Sequence, residues 1–204
     1  MTLPFSADEI VTAEAGFFEV ESKALASWIQ TGLGDKEWEI KYPASVSLAD
    51  AISALKPEIA VTRYLCVPLG AWSVLLNNSP LGTDVGVLPS YAARELGCRA
   101  IRAVNVPDDA TFPARILEVY GPNGAPPRAL ERSIAAAKDG RSWVFETSGT
   151  PYPFEDHTAY ELRIKSRRFT SQMLFDYIRA LGVPLGETPD WSNTVMVRRR
   201  AEQK

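Results

Sequence analysis

The single histidine of this 204-residue chain, His157, lies in Pro151-Tyr152-Pro153-Phe154-Glu155-Asp156-His157, with Glu146 a short way upstream. Carboxylates near an imidazole orient the ring and raise its basicity, the pairing that a general acid/base or a hard-metal site uses. His157 with Glu146 or Asp156 is therefore the candidate catalytic group. The bland reading of the same residues is a polar, Pro-rich loop, and one histidine does not supply the ligand set of a structural zinc.

Two further segments have the residue types for binding. The stretch Asn77-Asn78-Ser79-Pro80-Leu81-Gly82-Thr83-Asp84 offers the side chains of Asn77, Asn78, Thr83 and Asp84 to a small polar or anionic ligand, although these are also common turn residues. In Tyr160-Glu161-Leu162-Arg163-Ile164-Lys165 the alternation of types reads as a strand. On it Arg163, Lys165 and Arg167 would share a face able to grip a phosphate or an acidic partner, or would simply guard a solvated sheet edge. Trp191, in the polar run Thr188 to Asn193, is either a surface anchor for a partner or a lid on the core.

Other chemistry is not signalled. GxGxxG, P-loop, GxSxG and HExxH patterns are absent from the sequence, so no cofactor and no metal are expected. Cys66 and Cys98 have neither a CxxC neighbour nor a nearby histidine and read as buried free thiols, as suits a reducing compartment. A net charge of −3 argues against general nucleic-acid binding, which relies on Lys and Arg displacing counterions. Residues Met1 to Ile10 lack the basic and apolar regions of a secretory signal, and no apolar run approaches the ~18 residues of a membrane span. The expected location is the cytoplasm, with no membrane association.

The elements that must position these groups follow from periodicity. Glu37 to Tyr42 alternates strictly, and Phe18 to Val20, Ile59 to Val67, Trp72 to Leu76, Ala100 to Val106, Ala114 to Tyr120, Trp143 to Glu146 and Thr194 to Val197 join the 160–165 segment as strands. Leu69-Gly70 and Pro107-Asp108-Asp109 mark short connections between antiparallel neighbours. Ser171 to Leu181 is the clearest helix: Leu174, Tyr177, Ile178 and Leu181 form one stripe, Thr170 caps it, Phe169 and Leu174 staple its first turn, and Gly182 ends it. Lys23 to Leu33, a helix capped by Ser47, Pro89 to Leu96, and Leu130 to Lys138 complete the helices.

The expected fold class is α+β, a mixed, largely antiparallel sheet of about eight or nine strands with about five helices packed on it. One domain is expected over residues 1–197, with a flexible basic tail at 198–204, and Gly121 to Pro127 is read as a surface loop. With 46% hydrophobic residues, burial alone is enough to hold such a domain. The functional expectation is a non-catalytic cytosolic protein-binding module of inhibitor or toxin-neutralising (immunity) type, with a protein partner. The alternative is a small-molecule enzyme built from His157, nearby carboxylates and the Asn77–Asp84 loop. A weaker one is an RNA or nucleotide-phosphate binder using Arg163 to Arg168.

Overall fold

The computed structural model describes residues 13–34, 37–42, 50, 51, 53, 55, 56, 62–79 and 84–199. Nine strands form one sheet: β1 (Glu14–Phe18), β2 (Trp38–Lys41), β3 (Arg63–Leu69), β4 (Trp72–Asn77), β5 (Ala100–Val106), β6 (Ala114–Ala125), β7 (Leu130–Asp139), β8 (Ser142–Gly149) and β9 (Val195–Arg199). Their order is β2-β9-β3-β4-β1-β5-β6-β7-β8. Every neighbouring pair is antiparallel. The helices with described bounds are α1 (Ser22–Leu33), α2 (Leu88–Glu95), the short α3 (His157–Tyr160) and α4 (Ser171–Ala180). The α+β class is as expected, with slightly fewer helices among the described residues. Asp50, Ala51 and Ser53 are helical within the span anticipated after Ser47, and the rest of that span lies outside the described residues.

Strand alternation splits the apolar residues between two cores, one on each face of the sheet. Phe17, Leu65, Val67, Val74, Ile101, Leu117 and Ile134 point to one face, where α4 and the segment around Phe169 cover them. Phe18, Cys66, Leu75, Val195 and Val197 point to the other, under α1 and α2. Cys66 and Cys98 are both buried and unpaired, and burial holds the Cys66 thiol far above its ordinary pKa. No helix among the described residues is long and apolar enough to cross a membrane.

Helix α4 begins as its sequence demands. The Thr170 hydroxyl accepts from the Met173 N–H at 3.2 Å, and Leu174, Phe175, Tyr177 and Ile178 are buried. Replacing Thr170 with Ala is expected to lower stability by about 1 kcal/mol. Chemical denaturation checks this, and Ser at 170 should restore most of the loss.

Two elements differ from expectation. Leu130 to Lys138 is strand β7, not a helix. Helix-prone alanines at 135–137 are overridden because β6 and β8 flank the segment, and Arg132, Ile134 and Ala136 alternate inward between less buried neighbours. Tyr160 to Lys165 is not a strand: it leaves α3 through turns and enters a 3-10 turn at Lys165–Arg167. A turn after Asp139 joins β7 to β8 with Gly140 at φ +56°. Gly121 to Pro127 forms the end of β6 and the tip of its hairpin with β7. Arg198 and Arg199, expected in the tail, extend β9, where Arg198 Nε donates to Glu39 at 2.8 Å and Arg199 Nη2 to Glu37 at 3.3 Å.

Candidate functional site

Beneath the segment that follows β8 lies a buried ion pair. Arg132 on β7 donates to both carboxylate oxygens of Glu155, Nε at 3.0 Å and Nη2 at 2.7 Å, and their side chains are 3% and 0% exposed. Arg132 Nη1 also donates to the carbonyls of Ser148 and Gly149, each at 3.1 Å. Glu155 accepts from the Tyr152 N–H at 2.8 Å and the Tyr160 hydroxyl at 3.0 Å. Two desolvated charges are tolerated because the lone pairs and protons around them are satisfied this fully. The network clamps the 150–160 segment to the sheet.

On that base Asp156 caps α3, accepting from the N–H groups of Thr158 and Ala159 at 3.0 and 3.1 Å and from the Thr158 hydroxyl at 2.6 Å. The Thr158 side chain, foremost, and the Ala159 N–H hold its carboxyl below the usual range. Tyr160 at the end of α3 is buried, as is Phe169 before α4. Residues 161–168 therefore bridge two aromatic anchors. The backbone turns internally, with the Arg167 N–H donating to the Ile164 carbonyl at 3.0 Å and Arg168 Nε donating to the Leu162 carbonyl at 2.6 Å. The Arg168 guanidinium also lies 5.6 Å from the centre of the Phe145 ring.

This fixed segment presents an unusual surface. Leu162 and Ile164 are 43% and 51% exposed. Around them Arg163, Lys165 and Arg167 are exposed and form no ion pair with the described residues. From 161 to 168 the chain carries four cations against the one carboxylate of Glu161. Because the segment is turned rather than extended, the one-face alignment of Arg163, Lys165 and Arg167 that strand geometry would impose is absent. They alternate along the chain with the two exposed apolar residues.

The other candidate residues are not gathered into one centre. His157 is exposed, its ring edge-on to Tyr160 at 5.6 Å, on the face covered by α4. Glu146 is exposed on β8 and follows Phe145, which packs toward that core, so its side chain leaves the opposite face. Asp156 is engaged as a cap. None of these three residues lines the clefts of about 430, 540, 440 and 570 Å³ found among the described residues.

Asn77 and Asn78 are buried and act within the chain. Asn77 Oδ1 accepts from the Asp84 N–H at 2.9 Å, its Nδ2 donates to the Asp84 carbonyl, and Asn78 Oδ1 accepts from the Arg63 N–H at 2.7 Å. Asp84 is exposed and accepts from the Gly86 N–H at 2.9 Å, while Thr83 lies outside the described residues. Trp191 opens a 3-10 turn capped by Asp190 and packs against the core, taking the lid role. Among the described residues no group of three or more His, Cys, Asp or Glu comes together as a metal site.

Sequence reasoning missed the Arg132–Glu155 pair. The signal available was an arginine in phase with Ile134 and Ala136, blurred because alanine is equally at home on either face of an element. The pair has tyrosine neighbours with raised pKa values. Burial, with hydrogen bonding to Tyr177 and the Glu155 charge, lifts the Tyr160 hydroxyl well above its ordinary value, and burial with the Glu131 carboxylate pushes Tyr152 up to about 12. A folded-state pKa above the unfolded value of about 10 stabilises fully below pH 10 and is lost as pH rises through 12. The melting temperature is thus expected to hold to about pH 9.5 and then fall by more than about 5 °C by pH 12. Circular dichroism across that range checks it, and Tyr152→Phe should flatten the decline.

The fold and this surface define an α+β protein with a nine-stranded antiparallel sheet that carries a preordered, basic and apolar loop. No family model, no curated protein and no solved structure matches the chain.

Proposed function

We propose that the chain is a non-catalytic protein-binding module of inhibitor or toxin-neutralising type, working in the cytoplasm, and that residues 161–168 are its recognition element. The observation that carries this reading is the exposure of Leu162 and Ile164, at 43% and 51%, on a segment fixed at both ends by buried aromatics and interspersed with exposed cations that form no ion pair with the described residues. Apolar side chains held out in water at a fixed geometry lose little entropy on binding, so more of their burial is retained as affinity. Arg163, Lys165 and Arg167 add steering toward an acidic face and reject basic ones. The complementary partner is a protein with an apolar depression bordered by carboxylates.

The test is affinity purification of the full chain from its native cell, followed by measured Kd values for loop variants. Wild type should return one stoichiometric protein. Leu162→Ser with Ile164→Ser should weaken that complex by at least about 30-fold, and Arg163→Glu with Arg167→Glu should slow association and remove its salt dependence. Either no partner at all, or a partner held equally well by both variants, overturns the assignment. The variants change exposed side chains, so unchanged melting temperatures serve as the folding control.

A further inference from the structure

On the face of the sheet occupied by α1 and α2, away from the 161–168 loop, a cleft of about 570 Å³ opens between α2 and the turn that joins β6 to β7. The size suits a ligand of nucleotide scale. Helix α2 buries Pro89, Ser90, Ala92 and Ala93 against the sheet, which turns Tyr91 and Arg94 outward, and Tyr91 is 46% exposed. The opposite wall carries Arg128. The Ser90 hydroxyl donates to the Arg128 carbonyl at 2.6 Å, so helix and turn are fastened to each other and the opening between them is set.

The floor is built from β5 and β6, whose register places Arg102 opposite Glu118. Arg102 gives two hydrogen bonds to Glu14, at 2.9 and 2.8 Å, and one to Glu118 Oε2 at 3.1 Å. The Tyr120 hydroxyl donates to the same Glu118 oxygen at 3.0 Å. Arg102 is thereby matched by two carboxylates, which leaves one negative charge in excess at the floor. Glu118 Oε1 accepts no hydrogen bond from the described residues, and the side chain keeps 24% of its exposure.

Arg94 and Arg128 at the rim are different. Arg94 lies 5.7 Å from the Tyr91 ring centre, and neither guanidinium pairs with a carboxylate among the described residues. The cleft is therefore polarised, with two unmatched cations at its mouth and a carboxylate oxygen seeking a donor at its base. Val87, Tyr91 and Pro127 supply apolar wall between them.

We propose that this cleft binds a nucleoside 5′-monophosphate, or a molecule with the same three features: a phosphate, neighbouring hydroxyls and a flat apolar body. The phosphate is held between Arg94 and Arg128, whose planar forks suit its oxygens. The ribose hydroxyls donate to Glu118 Oε1. The base lies against Tyr91 and Pro127. A bare anion meets only the rim, and a nucleoside meets only floor and wall, so full affinity needs both halves on one molecule.

Calorimetric titration of the full chain with AMP, GMP, CMP and UMP, and with inorganic phosphate and adenosine, tests the assignment. At least one monophosphate should saturate below about 1 mM and bind at least about 10-fold more tightly than either inorganic phosphate or adenosine. Arg94→Ala and Arg128→Ala should each weaken it by about 10-fold or more. Glu118→Gln should weaken the nucleotide while leaving inorganic phosphate unchanged. If that variant fails to fold, the two arginine variants, both at exposed positions, carry the test by themselves. Failure of all four nucleotides to bind below about 1 mM, or affinity indifferent to Arg94 and Arg128, overturns the proposal. Loop variants at 162–167 should leave this binding unaltered, which separates the failure of one site from the failure of the other.

Discussion

Glu155→Ala is expected to destabilise the protein by about 3–5 kcal/mol, because it strands the Arg132 guanidinium in an interior where it is 3% exposed. The same change removes an acceptor of the Tyr160 hydroxyl and that of the Tyr152 N–H, so Arg132, Tyr160 and Tyr152 each lose a hydrogen bond at once. For a chain of this size the midpoint of thermal unfolding should drop by about 10 °C. The double replacement Arg132→Met with Glu155→Leu should recover much of the loss, since paired removal leaves no lone charge and both desolvation penalties vanish. Thermal and urea unfolding of the two single variants and the double variant give the coupling directly. A shift below about 2 °C for Glu155→Ala would mean that water reaches Arg132 and that the clamp on the 150–160 segment is weak.

A second large loss is expected from Gly149→Ala, at least about 3 kcal/mol. Gly149 sits at φ +83°, where a side chain is strained, and an added Cβ would lie 2.0 Å from the Glu131 carbonyl oxygen. The obstacle is backbone of the neighbouring strand β7, so the chain must separate there rather than rotate a side chain away. Gly149 also accepts from Arg132 at 3.1 Å, and moving it loosens the ion pair. Hydrogen exchange of the β7–β8 amides and the unfolding midpoint both report this. Full retention of the midpoint would show that the end of β8 can lift away without loss. Because residues 161–168 rest on this clamp through Tyr160, both variants should also weaken the partner binding proposed for that segment.

Much of the scaffold was legible in the residues. Strict alternation in Glu37 to Tyr42 and the stripe of Leu174, Tyr177 and Ile178 are local patterns, and local patterns survive folding when each step agrees with the packing. Thr170 and Gly182 marked the ends of α4 because caps satisfy backbone groups a residue or two away. The two misread segments failed for opposite reasons. Leu130 to Lys138 carries helix-prone alanines, but long-range pairing with β6 and β8 outweighs a propensity worth tenths of a kcal/mol per residue. Tyr160 to Lys165 alternates like a strand, but the Asp156 cap and the burial of Tyr160 and Phe169 bend it into turns.

The candidate sites were less legible, and the reason is sequence separation. The sequence does not say whether His157, Glu146 and the Asn77 segment meet, and pleating sends Glu146 and Asn77 to the face of the sheet opposite Tyr160. Arg94, Arg128 and Glu118 are scattered through the chain and converge only where α2 lies across β5 and β6. The sequence alone determined the apolar stripes of the regular elements and the ends of α4, since hydrophobic periodicity and capping act over a few positions, but not the burial of Arg132 and Glu155 or the exposure of Leu162 and Ile164. Which side chains meet was decided by the tertiary structure, because strand order and register bring distant residues together and set the face on which each one emerges.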